Sequence, residues 1–169
     1  MIHILKKVIG GIDAVNERTG KIASFLMPLL IIFETYEVIS RYAFSHPTIW
    51  ITELSAMIFG AFILLGGGYT LRHGAHANMD ILYGLLPKRG KALMDLITFF
   101  LFLAFVGVLF WQGGQLAWRS LAMLEHDSTE WAPPLYYFKM TLPIGAGLLL
   151  LQGVAKFLKD LIILVKGEF

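Results

Sequence analysis

Residues 96–118, LITFFLFLAFVGVLFWQGGQLAW, contain no charged side chain, and they lie within an apolar run from Leu93 to about Trp118. A helix crosses a bilayer when roughly 20 mostly apolar residues, rising about 1.5 Å each, span about 30 Å of hydrocarbon. The run meets that length, and it lacks the alternating pattern of a membrane barrel strand. It therefore predicts a membrane-spanning helix.

Three further runs have the same character, from about Ile22 to Ile39, from Trp50 to Leu71 and from Tyr136 to about Val165. The chain of 169 residues is 57% hydrophobic and 15% charged, with a mean hydropathy of +0.69. Such a chain has too little polar surface to cover a water-soluble globule. We predict an all-α integral membrane protein, one membrane domain over 1–169, with four transmembrane helices at about 20–40, 50–72, 92–120 and 135–165.

Two segments outside the spans have the pattern of helices that lie on a membrane surface. Over residues 1–18, apolar side chains recur at helical spacing with charged side chains opposite them, which predicts an amphipathic interfacial helix. The link from His73 to Gly90 contains a second apolar cluster, followed by Pro87. We predict a short interfacial helix in the middle of this link.

The distribution of Lys and Arg predicts the orientation. Eleven of these residues flank the chain start, the link between the second and third spans, and the chain end, whereas Arg41, Arg119 and Lys139 lie on the opposite side. Basic residues accumulate on the cytoplasmic side of spanning helices. We therefore expect a multi-pass protein of the bacterial inner membrane with both termini in the cytoplasm.

The chemistry of the side chains excludes several functional classes. The chain has no cysteine, which removes thiolate nucleophiles and zinc–thiolate or iron–sulfur sites. No histidine lies in a predicted span core, which argues against a haem held between helices. We predict that the chain is not an enzyme and has no catalytic residue, substrate site, metal or cofactor of its own. It also shows no feature of a nucleic-acid-binding protein.

Ionisable residues cluster near the outer ends of the first two spans. Glu37 and Arg41 are four residues apart and can pair on one helical face, and Glu34 and Glu53 lie at similar depth. Charged groups in hydrocarbon are costly and normally face protein or water. The cluster indicates either an ion pathway or, as the favoured interpretation, a buried ion-pair cluster that holds helices or a partner subunit.

A second polar group follows the second span. His73, His76 and Asp80 would share one face of a helix, which is compatible with a metal site. Gly74 interrupts helices, so a polar interfacial cluster with Arg72 is the favoured interpretation. Pro28 and Pro143 fall within helical runs and are expected to kink them.

Three segments carry a family resemblance. They are RYAFSHPTIWITELS at 41–55, LRHGAH at 71–76 leading to Asp80, and WAP at 131–133 with LPIG at 142–145. Together they resemble the small membrane subunit, often called DctQ-like, of tripartite ATP-independent periplasmic (TRAP) transporters, over about residues 20–155. Where the family often has another basic residue after the motif histidine, this chain has Asn78.

The resemblance implies a four-helix scaffold that binds a large multi-span membrane subunit. In that family the large subunit holds the substrate and sodium sites and moves like an elevator. A soluble periplasmic protein delivers an organic acid such as a C4-dicarboxylate or sialic acid. The expected partners are therefore the large subunit, the periplasmic binding protein and membrane lipids, with sodium coupling in the large subunit.

The interpretation of the residues and the resemblance lead to one set of candidates. Arg41, Trp50 and Glu53 are predicted to brace the first two spans at the outer face, and Arg72, His76 and Asp80 to do the same inside. The full set of structural or partner-interface candidates is Glu37, Arg41, Tyr42, Pro47, Trp50, Glu53, Arg72, His76, Asp80, Trp131 and Pro143. The alternative function is a self-sufficient small transporter that works as a homo-oligomer.

Overall fold

The computed structural model describes residues 2–74 and 88–166, and every regular element in these ranges is a helix. In chain order the helices are α1 Ile2–Ser24, α2 Leu26–Ala43, α3 Ile49–Arg72, α4 Lys88–Ala122 and α5 Leu135–Lys166. The prediction of an all-α protein is confirmed. The short interfacial helix expected in the link after the second span falls mainly on residues 75–87, which lie outside the described ranges.

Within the described residues, three segments are long and apolar enough to cross a membrane: the nearly continuous α1–α2 segment Leu5–Ala43, then Ile49–Arg72, then Leu93–Ala122. The multi-pass membrane character is therefore confirmed. The fourth predicted span forms a single helix of 32 residues, α5, which is long enough to cross but is not among these three. A crossing by α5 stays a prediction.

The first helix extends beyond the predicted amphipathic segment 1–18, and α2 begins two residues after it ends. Phe25 separates the two helices, and Pro28 lies in the first turn of α2. Proline lacks a backbone donor and is tolerated in a first turn, where that donor would have no partner within the helix. Pro28 therefore lies beside a helix boundary instead of kinking the middle of a helix.

The inward face of α1 packs on α3 and α5. Its buried residues Ile9, Asn16, Gly20 and Ala23 follow helical spacing, whereas the apolar Val8 and Val15 are about half exposed, at 50% and 49%. A substituent on Gly20 would collide with the ring of Tyr69 in α3. The helix is thus part of the bundle on one face and presents apolar side chains on another.

The last helix, α5, is the centre of the bundle because it contacts α1, α3 and α4. Gly145 permits the close approach to α3, since a Cβ there would meet the backbone carbonyl of Leu64. Small residues at such crossings let backbones approach closely. Pro143 lies inside α5, and the helix continues through it.

The fourth helix is longer than a bilayer requires. It has 35 residues, which corresponds to about 52 Å at about 1.5 Å per residue. The outer loop, residues 123–134, then returns the chain to α5. It is closed by backbone hydrogen bonds from Asp127 N to Pro133 O (2.9 Å) and from Leu135 N to Glu125 O (3.0 Å).

Candidate functional site

Glu37 organises the polar cluster at the outer end of α2. Its carboxylate is 5% exposed and accepts hydrogen bonds from Arg41 Nε (3.0 Å) and Nη2 (2.5 Å). It also accepts from the backbone N of Thr48 (3.1 Å) and from the Thr48 hydroxyl. The pair between Glu37 and Arg41 is present as predicted. The connection from α2 to the start of α3 is made by Thr48, which the sequence did not indicate.

Glu53 takes a different position from the one predicted. Its carboxylate accepts a hydrogen bond from Thr129 Oγ1 in the outer loop at 2.9 Å, while Arg41 bonds to Glu37. Glu53 lies just after the first turn of α3, within hydrogen-bond distance of that loop. The predicted brace of Arg41, Trp50 and Glu53 is therefore two separate contacts: one joins α2 to α3, and one joins α3 to the outer loop.

Trp50 links these contacts through its ring. It packs edge-on against Phe33 of α2, with ring centroids 6.1 Å apart, and lies 6.4 Å from the Trp131 ring in the outer loop. Trp50 and Trp131 also line an open groove of about 420 Å³, together with Pro47, Thr48, Ile49 and Glu130. Tyr42 is 80% exposed on the last turn of α2. This end of the molecule thus carries aromatic side chains that remain accessible.

The outer loop is fastened to α5 by an ion pair. Lys139 Nζ lies 2.6 Å from Glu125 Oε2. The hydrogen bond from Lys139 lowers the pKa of Glu125 below its ordinary value of 4.5. The carboxylate is therefore ionised at neutral pH, and the loop is held against the first turns of α5.

A second cluster at the opposite end of the bundle is centred on Asp13 of α1. Its carboxylate accepts hydrogen bonds from Gln152 Nε2 (2.9 Å) and Lys159 Nζ (2.8 and 3.1 Å), both on α5. Gln152 is 1% exposed. Because buried polar groups are costly unless hydrogen-bonded, these contacts stabilise the packing of α1 against α5.

Arg72 connects the same cluster to α3. Its Nη1 donates to the backbone O of Asp13 (2.8 Å) and to Glu17 Oε2 (2.7 Å). Glu17 also pairs with Lys21 at 3.0 Å and lies 3.5 Å from His73 Nε2. Arg72 therefore joins α3 to α1 at the inner end, and its predicted role as a brace of the first two spans stays a prediction. The other predicted members, His76 and Asp80, lie outside the described residues.

The sequence analysis missed the residues that complete the inner cluster, which are Asp13, Glu17, Gln152 and Lys159. One signal was available, since Asp13 and Glu17 are one helical turn apart on the polar side of the amphipathic segment. Lys159 likewise lies just before the apolar stretch LIIL, at 161–164, in a group with the charged Lys156 and Asp160. Nothing in the sequence indicated that these distant positions meet. Within residues 2–74 and 88–166 no three His, Asp or Glu side chains form a metal-binding group.

The arrangement of both clusters suits bracing more than transfer of a solute. The carboxylates of Glu37 and Asp13 are each neutralised by a basic side chain and by further donors from the same chain. A carboxylate that is fully satisfied in this way holds helices together and offers little capacity for an incoming ion.

The chain matches a known family over residues 30–162, described as the DctQ component of tripartite ATP-independent periplasmic transporters. Among curated proteins it is 24% identical over 119 residues to the sialic acid TRAP transporter small permease protein of Vibrio cholerae, which covers 70% of this chain and 65% of the relative. It is 32% identical over 98 residues to the ectoine TRAP transporter small permease protein of Halomonas elongata, covering 57% of this chain and 51% of the relative.

A third relative is the C4-dicarboxylate TRAP transporter small permease protein of Vibrio cholerae, 27% identical over 82 residues, or 48% of this chain and 35% of the relative. The matched region thus spans between about a third and two thirds of the length of these relatives. All three are named as transporter permease proteins, in agreement with the prediction that the chain is not an enzyme.

Proposed function

Because this chain belongs to the DctQ component family of the tripartite ATP-independent periplasmic transporters, we propose that it is the small membrane subunit of such a transporter. In this proposal it is a fixed scaffold for a larger multi-span subunit, which carries an organic acid inward by an elevator-type movement coupled to sodium. A periplasmic binding protein delivers the acid. The substrate and sodium sites then belong to the partner subunit, and this chain needs no cofactor.

The exposed carboxylate of Glu34, half-way along α2, is the observation that carries the scaffold proposal. In the described part of the chain Glu34 has no hydrogen-bond or ion-pair partner, and it lies on a helix whose Ile31, Ile32 and Tyr36 are also exposed, at 57%, 62% and 54%. A carboxylate facing hydrocarbon costs roughly 2.5 kcal/mol or more. A protein partner that covers this face and supplies a donor or a cation removes that cost.

The shape of the bundle favours the same face for the partner. α5 is surrounded by α1, α3 and α4, whereas α2 packs mainly on α3 and has much of its surface uncovered. Exposed apolar surface on one helix is expected for contact with lipid, but an ionisable group within it favours contact with protein. We therefore assign α2 to the interface with the large subunit.

The proposed location is the bacterial inner membrane, with both termini in the cytoplasm. The inner cluster of Asp13, Glu17, Arg72 and Lys159 then lies at the cytoplasmic interface, and the Glu37 cluster and the outer loop lie at the periplasmic one. Basic residues near the chain start, after α3 and at the end of α5 support this orientation.

The substrate class is proposed as an organic acid. Two of the relatives are named for sialic acid and C4-dicarboxylate transport, and a third for ectoine. These three small permease proteins are each named for a different substrate, although all of them resemble this chain. This favours a substrate selectivity that is determined by the other components of the transporter.

Co-purification tests the proposal directly. A tagged form of the chain is isolated from bacterial membranes in mild detergent, and the retained proteins are identified by mass spectrometry. We expect an equimolar multi-span protein much larger than this chain. Vesicles containing both membrane proteins and the binding protein should then take up the acid with sodium, and vesicles with this chain alone should not. Uptake by this chain alone, as a stable oligomer, would establish the homo-oligomeric alternative instead.

A further inference from the structure

A cavity of about 130 Å³ lies between α4 and α5, beside the last turn of α3. Phe99 and Phe102 of α4 form apolar walls, and Asp95, Thr98 and Asp160 contribute polar atoms. This volume is well below the roughly 300 Å³ at which pockets for drug-sized ligands begin. The cavity therefore fits a small polar group more closely than a whole organic acid.

Asp160 is the carboxylate in this cavity for which the described residues provide no hydrogen-bond donor. It is 9% exposed, and no residue in the described ranges forms a hydrogen bond or ion pair with it. Its neighbour Lys159 points to Asp13, with Nζ 2.8 Å from the carboxylate. Burial of a carboxylate without a donor is costly. The site thus favours a ligand that brings positive charge and N–H donors to Asp160.

The other charged side chains of the cavity form a pair. Lys156 Nζ lies 3.0 Å from Asp95 Oδ2, and both side chains are partly exposed, at 34% and 14%. The cavity therefore presents two carboxylates and one ammonium. An ammonium has three donors, so Lys156 can bond to Asp95 and still donate to an anionic oxygen. A ligand with one cationic and one anionic group complements this arrangement.

The rim of the cavity continues onto an apolar surface. Thr98 is exposed, and Met94 and Leu101, one turn before and after it on the same face of α4, are 47% and 74% exposed. On α5, the polar wall lies in the same turns as Lys156 and Lys159, where charged side chains mark the border between hydrocarbon and water. A ligand here meets polar groups at one end and lipid-exposed helix at the other.

We propose that this cavity binds the headgroup of phosphatidylethanolamine, with the primary ammonium donating to Asp160 and the phosphate accepting from Lys156. The acyl chains then lie along Met94 and Leu101. A bare cation would neutralise Asp160 but leave the apolar rim and the free donors of Lys156 unused. A choline headgroup carries the same charge but has no N–H to donate.

Lipid binding to the purified full chain tests this assignment. The chain is delipidated in detergent and titrated with phosphatidylethanolamine, with its N,N-dimethyl form and with phosphatidylcholine of the same acyl chains. Binding is measured by native mass spectrometry and by the shift in unfolding temperature. We expect binding to weaken as N–H donors are removed, with phosphatidylethanolamine about tenfold tighter than phosphatidylcholine.

The variant Asp160→Asn should reduce that preference to about twofold or less. The matched control Asp127→Asn, which removes a carboxylate from the outer loop, should keep it. Equal binding of the three lipids to the unmodified chain would overturn the assignment, and this comparison does not depend on the folding of a variant. The assignment would also fail if Asp160→Asn kept the full preference, or if sodium alone gave the same stabilisation and lipid added nothing.

Discussion

The two polar clusters differ in how far apart along the chain their residues lie. At the inner end, Asp13 meets Gln152 and Lys159 across 139 and 146 positions, and Arg72 reaches Glu17 across 55. At the outer end, the buried carboxylate of Glu37 bonds to Arg41 and Thr48, which are only 4 and 11 positions away. The inner cluster joins three helices, whereas the Glu37 cluster joins one helix end to the next helix start.

This difference indicates separate roles for the two ends. The inner contacts define how α1, α3 and α5 are assembled, so their loss should affect the fold of the isolated chain. The Glu37 cluster and Glu34 lie on α2, which has fewer neighbours within the chain and an extensively exposed surface. Their loss should affect the assembly with a partner more than the stability of the chain alone.

The largest expected effect on stability is that of Asp13→Ala. It leaves the buried amide of Gln152 and the ammonium of Lys159 without their acceptor, which should lower the free energy of unfolding by about 2–3 kcal/mol. Denaturant unfolding of the purified chain in micelles measures the change. Lys21→Ala is the control, since that ammonium is 68% exposed and pairs with Glu17 on the same helix. Equal losses of unfolding free energy in both variants would show that the inner cluster contributes no more to stability than an exposed ion pair.

The packing beneath that cluster should show the next largest effect. A Cβ at Gly68 would collide with the Asn16 amide and lie 3.1 Å from the carbonyl of Leu148, so Gly68→Ala should cost about 1–3 kcal/mol. Gly66→Ala is the matched control on the same helix, because a Cβ there meets nothing within 4 Å. It should be neutral or stabilise the helix by up to about 1 kcal/mol. Thermal unfolding of both variants separates the effect of steric conflict from that of helix propensity. A Gly68→Ala variant as stable as the unmodified chain would contradict the close packing of α1 against α3.

Glu34→Leu should affect assembly with the partner subunit more than the stability of the isolated chain. Removal of an exposed carboxylate from α2 should leave the unfolding temperature of the isolated chain unchanged or raised, because the lipid-facing charge is gone. The yield of co-purified large subunit should fall several-fold, since its donor or cation loses an acceptor. Glu130→Gln, an exposed carboxylate in the outer loop, is the control. Unchanged yield for Glu34→Leu would move the partner interface away from α2.

Arg41→Ala and Glu53→Ala are expected to have smaller effects on the isolated chain than Asp13→Ala, but to impair assembly or uptake. The first leaves the buried Glu37 without its cation, and the second releases Thr129 and the outer loop. Complex yield and uptake in vesicles are the measurements. Arg119→Ala is the control, since Arg119 is exposed on the outer part of α4. Full yield and full uptake for both variants would show that the outer contacts are dispensable.

The elements were predictable because each depends on residues that are close in sequence. The apolar runs indicated the helices, and the spacing of Glu37 and Arg41 indicated their pair. The positions of Glu53 and Arg72 were only half predictable. Their depth in the membrane followed from their positions near the ends of the second apolar run. Their partners, Thr129 and Glu17, lie 76 and 55 residues away along the chain. Spacing along one helix carries no information about a neighbour at that distance.

The sequence alone determined that this chain is helical and membrane-embedded, and its motifs indicated the transporter family, because hydrophobicity and short spacings are local properties. Only the tertiary structure decided that α1 is fastened to α5 through Asp13, that Glu34 is exposed on α2, and that Asp160 faces a cavity with no hydrogen-bond partner among residues 2–74 and 88–166. These features depend on which helix faces meet. That choice is made by packing and by the pairing of charges across the bundle, which no single segment specifies.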